Sequence, residues 1–283
     1  MTYNKVYETL VATGLKRIES TSEAAYRDAW NERVVPLDSD PLAMAIAGGL
    51  IADRMAWVFV AGYQAACRHV FSSAALRSWV SYAATEDREG DPPLPGVRLT
   101  GESSSGTLSG NKAWIGAARG MEQLVVRVGT GPGATYFLIE RERRGVTIDL
   151  KPRDFLAGLS QGRAHFEETP VTGADVVDGD GIEMLKFVEP LYVYAAFCGF
   201  ALSGMCESDV VSHCHDCLDA VDEALSSLRA GEVDEVRLGD VDALVLDLLA
   251  RLAGNRANAA GEWETDQKIV AMYSRDVDVN IPH

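Results

Sequence analysis

Hydrophobic periodicity changes twice along this chain, and that double switch limits the fold more than any other feature of the sequence. Up to about Ser81 apolar residues recur at helical spacing. A first amphipathic helix is expected over Val6 to Ile18, with Val6, Leu10, Val11 and Ile18 among its apolar positions. A second is expected to start at Thr21-Ser22-Glu23 and run to about Glu32. After Pro36 and Pro41, a long helical pattern runs from Leu42 to Val80. It is apolar nearly all round, as in a helix buried among others, and Gly48-Gly49 and Gly62 mark breaks or close helix contacts. From about Tyr82 to Asp180 the helical period disappears. Short β-prone runs replace it: Leu124 to Val128, Thr135 to Ile139, Val146 to Ile148 and His165-Phe166. Gly129 to Gly133 reads as a hairpin turn between the first two. From about Gly181 the helical period returns. Glu189-Pro190 is expected to open a helix, with proline at the first helical position, continuing through Leu191 to Val211. Further helical patterns cover Val241 to Leu252 and Ala257 to Tyr273, after an acidic connection over Asp219 to Asp240. The expected fold is α+β: an N-terminal helical domain (residues 1–81), a middle β-barrel or sandwich (82–180) and a shortened C-terminal helical bundle (181–283).

The net charge of −16 argues against a nucleic-acid partner, whose phosphates need clustered Lys and Arg, and against an anionic membrane surface. It leaves room for a small anionic ligand held by local cations or helix N-termini. Met55 to Cys67 is a long apolar stretch of 13 residues, short of the roughly 20 that a membrane span needs. Met1 to Glu23 has no apolar signal core. Five cysteines, Cys67, Cys198, Cys206, Cys214 and Cys217, an odd number lying mostly in helical apolar patterns, read as reduced thiols. A cytoplasmic protein is expected. Cys206, His213, Cys214, His215 and Cys217 raise a metal site, but no second ligand pair is recognisable, and buried thiols with a surface histidine are favoured.

Four segments carry a resemblance. Leu108-Ser109-Gly110-Asn111-Lys112-Ala113-Trp114-Ile115, followed by the strand Leu124 to Val128, matches an L-x-G-x-K-x-W-I pattern. Ala84-Thr85-Glu86 with Gly90-Asp91 matches T-E-P-x-x-G-S-D. His165 to Val171 matches an F-x-x-V closing strand, and Gly62-Tyr63-Gln64 lies in the helix before the β block. In this order they resemble the acyl-CoA dehydrogenase family. Block order covers most of the chain; the motifs are specific between about Thr85 and Val171.

The resemblance implies FAD at the edge of the β block, and oxidation of an acyl-CoA-like thioester by loss of an α-proton to a base and a β-hydride to the flavin. It assigns Thr85, Trp114, Ile115 and Gly116 to the flavin. Glu189, with Gly199 ten residues later, matches the placement of the base in members resembling isovaleryl-CoA dehydrogenase. The chain departs at three points. Gly116 stands where the family carries Ser or Thr, Asp87 replaces the proline, and the serine of G-S-D is missing. The family's R-x-x-F-G and Q-x-x-G-G-x-G nucleotide motifs are not recognisable. The alternative is a catalytically silent relative that pairs with a complete dehydrogenase subunit. Apolar surfaces on several faces of Met55 to Cys67 and Leu191 to Leu202 point to a homo-oligomer or such a hetero-oligomer.

Overall fold

The computed structural model describes residues 6, 9–10, 12–37, 40–71, 79–87, 90–152, 154–179, 181–204, 208–255 and 268–280, without the side chains of 253–255 and 275–280. Of the expected Val6–Ile18 helix, only Tyr7, Glu8 and Val11 lie outside the described residues; the described ones are helical no further than Ala12, so the helix stops short of the expected Ile18. Cys206 and residues 257–267 of the last helical pattern also lie outside the described residues. The chain divides into two compact units: residues 1–69 with 184–283, and residues 70–183.

The first unit is helical. Ser22 caps α1 (Glu23–Arg33), its hydroxyl accepting from the Ala25 N–H, as the sequence suggests. The long Leu42–Val80 pattern is instead two helices, α2 (Pro41–Ile51) and α3 (Met55–Val70), followed by a strand that starts at Val80. Asp40 caps α2, accepting from the N–H groups of Leu42 and Ala43, each at 3.1 Å, with Pro41 where its missing N–H costs nothing. The next helix, α4 (Leu185–Gly204), corrects a second expectation. It starts at Leu185 after a short 3₁₀ turn, so Pro190 is its sixth residue and Glu189 its fifth. Glu189 therefore does not sit at the helix N-terminus. The acidic connection is corrected as well. Helix α5 (Ser208–Arg229) and α6 (Glu235–Asn255) run through most of it, leaving only residues 230–234 between them. Cys217, Leu218, Val221, Ala224, Leu225 and Leu228 bury one stripe of α5, and the acids occupy the other face. Helix α7 (Lys268–Asn280) is the last described element.

Gly49, Gly62 and Gly199 of this unit sit at helix contacts inside unbroken helices. A Cβ on Gly49 would lie 1.9 Å from the carbonyl oxygen of Ala196, one on Gly62 2.4 Å from Cα of Val193, and one on Gly199 2.4 Å from the carbonyl oxygen of Ile46. Helices α2, α3 and α4 thus pack backbone to backbone. The segments Met55–Cys67 and Leu191–Ala201 are buried within the chain, so the apolar faces that suggested an oligomer are covered internally. By length and composition, residues Ile182–Gly204 would suffice to cross a membrane, but 78% of that window is buried in the chain, as in a core helix.

The second unit carries two four-stranded sheets. One has the order β1 (Val80–Ala83), β4 (Gln123–Val128), β5 (Thr135–Glu140), β8 (Val176–Val177). The other runs β2 (Arg98–Thr100), β3 (Ser105–Gly116), β7 (Gln161–Thr172), β6 (Val146–Leu150). Strands β4 and β5 form the hairpin expected around Gly129 to Gly133, with Val125 opposite Leu138. Strands β3 and β7 are antiparallel, with Gly110 opposite Phe166 and Gly116 opposite Gln161. Among the described residues no strand pairing joins the two sheets into one closed barrel.

Candidate functional site

The register of β3 against β7 shifts between Lys112 and Ile115, a bulge that re-aims Ala113 and Trp114. Freed from the ladder, the Ala113 N–H donates to the Thr85 carbonyl at 2.8 Å, tying the segment after β1 to this point of β3. Just before the bulge, Gly110 has φ 129°, and a Cβ there would strike the Gly96 carbonyl, so this turn of the strand requires glycine.

An ion pair buried at its lysine end strengthens the tie. Lys112 is fully buried; its Nζ donates to the Ala84 carbonyl at 3.2 Å and to Oε1 of Glu86 at 2.5 Å. Burial pulls the ammonium below its ordinary pKa, and the Glu86 hydrogen bond and charge offset part of that fall. Asp87, the residue in the proline position, is buried. It accepts from the N–H groups of Gly90 (3.3 Å) and Leu94 (2.9 Å) and lies 3.6 Å from the Arg163 guanidinium on β7. Its carboxylate is spent on organising its own loop.

On this frame, Thr85 is exposed, and its hydroxyl makes no hydrogen bond to a described residue. Trp114 is half-buried, with its Nε1–H directed to Oε1 of Gln161 at 3.4 Å. Gln161 is held in turn by its amide N–H on the Phe155 carbonyl at 2.9 Å. The indole lies over Gly116. A Cβ there would come 3.0 Å from Cη2 of Trp114, so a serine or threonine would require the ring to give way. Ile115 is fully buried and offers a ligand only its backbone. The structure therefore places Thr85, Trp114 and Gly116 on adjoining segments of one unit. Glu86 and Lys112, which join those segments, were not recognised as site residues from the sequence. Their opposite charges inside the two matched motifs were the available signal.

An open cleft of about 760 Å³ in the same unit lies along β5 and β8, lined by Thr135, Tyr136, Val177, Asp178 and Gly179 among others. None of the residues assigned from the sequence lines it, so its size does not make it the site.

In the helical unit Glu189 is half-buried on α4. The Tyr273 hydroxyl, on α7, donates to its Oε1. One position along α7, the Ser274 hydroxyl donates to Oδ2 of buried Asp242 at 2.6 Å, and the Tyr194 hydroxyl donates to Oδ1 at 2.5 Å. Cys198, Cys214 and Cys217 are free buried thiols. Cys198 lies within hydrogen-bonding reach of Cys217, and burial pushes the Cys214 thiol up to about 12. Among the described residues no three His, Cys, Asp or Glu side chains converge as metal ligands.

No protein-family model and no curated protein matches the sequence. Solved structures do. The chain is similar to PigA with FAD and proline (14% identity over 97% of this chain and 91% of that one, TM-score 0.62). It is similar to the prolyl acyl carrier protein oxidase AnaB (12%, 97% and 93%, TM-score 0.62). It is also similar to butyryl-CoA dehydrogenase from Megasphaera elsdenii (14%, 84% and 76%, TM-score 0.56). At these identities the likeness is one of fold, and the fold of this chain is that of the acyl-CoA dehydrogenases.

Proposed function

We propose that this chain is an FAD-dependent oxidoreductase that oxidises an acyl thioester. The observation that carries the reading is the Thr85, Trp114, Gly116 platform, locked together by the Lys112–Glu86 pair and the Ala113–Thr85 hydrogen bond, in a chain of this fold. These residues fit the ring end of a flavin. Thr85 offers an exposed hydroxyl donor, Trp114 an aromatic surface, and Gly116 a backbone with no side chain of its own. The names of the similar structures, one determined with FAD and others called dehydrogenase or oxidase, support the same class.

When bound, FAD would supply the hydride acceptor. The protein's residues do the rest. Thr85 and the backbone at Gly116 would hold the ring edge by hydrogen bonds, and Trp114 would shield it from water. Glu189 takes the α-proton of the thioester onto a carboxylate oxygen. The buried Lys112 does not touch the ligand; it sets where Thr85 stands.

The test is the purified chain itself. The expected result is a flavin absorption band, or uptake of added FAD with quenching of Trp114 fluorescence. Trp114→Ala should weaken that uptake about tenfold, as expected for loss of one aromatic stacking surface. A second reading is a silent subunit. It is favoured by the indole occupying the space over Gly116, together with the unrecognised nucleotide motifs. A chain that takes up no FAD at any concentration supports that second reading and removes the first.

A further inference from the structure

We infer that Tyr273 is a positioning residue for Glu189, its hydroxyl orienting the carboxylate that the proposed reaction uses as a base. The inference rests on the reading of Glu189 given above. The residues are 84 positions apart in sequence, and no spacing rule joins them.

Three observations carry it. First, the bond is specific: the Tyr273 Oη–H donates to Oε1 of Glu189. A hydrogen bond to an ionised carboxylate is among the stronger contacts a side chain makes, and it restricts rotation of the carboxyl about its last torsion. Second, Tyr273 is not needed merely to dock α7. The neighbouring residue Ser274 already does so, through buried Asp242, which Tyr194 of α4 holds from the other side. Two consecutive residues of α7 thus meet two carboxylates of different character. Asp242 is buried among hydroxyls, whereas Glu189 is half-exposed, as a group that must meet a substrate has to be. Third, a titratable thiol beside Glu189 does not compete for its charge. Cys67, on α3, is fully buried. Burial first, and then the Glu189 charge, hold its thiol well above the usual range, so it stays protonated while Glu189 is charged. The phenol holds the carboxylate through a directed hydrogen bond.

The helix turn supplies the rigidity. Glu189 precedes Pro190, and the next turn of α4 is clamped at Val193 against Gly62 of α3. A carboxylate on such a backbone has only its own side-chain torsions to lose, and Tyr273 removes the last of them.

The experiment follows Glu189 directly in the full-length protein, by carbon-13 NMR of δ-labelled glutamate, with Glu189→Gln assigning the resonance. In Tyr273→Phe the proton affinity of Glu189 should rise about tenfold, the worth of one hydrogen bond to a charged group. Ser274→Ala, which loosens α7 without touching Glu189, should leave it unchanged. In the FAD-loaded enzyme the acid limb of kcat/KM for thioester oxidation should move to higher pH by the same factor in Tyr273→Phe and not in Ser274→Ala. An unmoved Glu189 resonance in Tyr273→Phe overturns the inference, as does an equal shift in Ser274→Ala. If the resonance moves while turnover shows no limb that tracks it, the contact stands and the base assignment falls.

Discussion

The two units of this molecule are held together in opposite ways. In the unit of residues 70–183, buried or half-buried charges are paired across segments: Lys112 with Glu86, Asp87 with Arg163, Arg143 with Asp175. In the helical unit the organising residues are glycines that contribute no side chain, letting α4 lie against α2 and α3 at backbone distance. The charge follows the same division. The β unit has 12 Lys and Arg against 16 Asp and Glu, a net −4; the helical unit has 14 against 26, a net −12. A unit built on paired charges can place an exposed donor such as Thr85 beside an aromatic such as Trp114. A unit built on close helices can hold one carboxylate still.

The largest effect should come from adding one methyl group where the helices touch. Gly62→Ala puts a Cβ 2.4 Å from Cα of Val193, and neither backbone can yield without opening the core. A loss of at least about 2 to 3 kcal/mol is expected by chemical denaturation. The control is the same substitution at Gly239 in α6, where nothing lies within 4 Å. There alanine should stabilise by about 0.5–1 kcal/mol through helix propensity alone. Equal signs at the two positions would show that glycine packing is not what holds this unit.

This contrast also explains what could be seen in the sequence. The β unit was legible because short β-branched and aromatic runs replace the helical period and the turns between them carry glycine and proline. The Leu124–Val128 and Thr135–Ile139 runs became paired strands, and the Lys112-to-Ile115 motif became a bulged one. The helical unit was legible as helices but not in its limits. Val80 continues an apolar run that suits helix or strand equally, and only its pairing opposite Gln123 decides for strand. Pro190 suggested a helix start because proline is best tolerated there, yet α4 accommodates it at the sixth position. The acids between Asp219 and Asp240 hid the buried stripe of α5. Of the site, Thr85, Trp114 and Gly116 were visible through motifs. The Lys112–Glu86 pair needed the fold, and Tyr273 could not be found without it.

Breaking the β unit's pairing should cost less than breaking the glycine contact, and should be felt at the ligand. Lys112→Met removes the buried ammonium and leaves Glu86 without its cation. Because the Glu86 side chain is 38% exposed, water can replace part of the loss. A destabilisation of about 2 kcal/mol is expected, below the range for a fully buried pair. The sharper readout is FAD uptake, which should weaken at least tenfold as Thr85 loses its anchor. Unchanged FAD affinity in a folded Lys112→Met protein would show that Thr85 is placed by the Ala113 hydrogen bond alone.

The smallest effect separates the units by pH. In the helical unit His69 stands at the end of α3, its Nδ1 2.7 Å from the Tyr192 hydroxyl. Burial, and then the nearby Arg229 charge, lower its pKa below 6.5. The unfolded chain therefore binds the proton more readily than the folded one. His69's contribution to stability is complete above the unfolded value and is lost as pH falls from there toward the lowered folded value. Burial holds the Tyr192 phenol above its usual range, so it stays a donor to the neutral ring throughout this window. Asp222, in the same unit, works in the other direction. Burial raises its pKa above 3.8, so between 3.8 and that raised value the folded form binds the extra proton and acid favours it. In the β unit, burial opposes ionisation of Asp175, but the Arg143 hydrogen bond and charge, with the bonds from Thr172, outweigh it and carry the carboxyl below 3.8. That pair keeps its contribution above 3.8 and loses it only as pH falls through the lower folded value. On acidification, amide exchange should therefore accelerate around His69 and Tyr192 just below pH 6.5, while the amides of Thr172 to Asp175 stay protected until well below pH 4. His69→Asn should erase the first response and leave the second in place. If both units loosen together near pH 6, or if His69→Asn leaves the early response intact, the titration belongs to a group common to both, and the division of the molecule into two independently stabilised units does not hold.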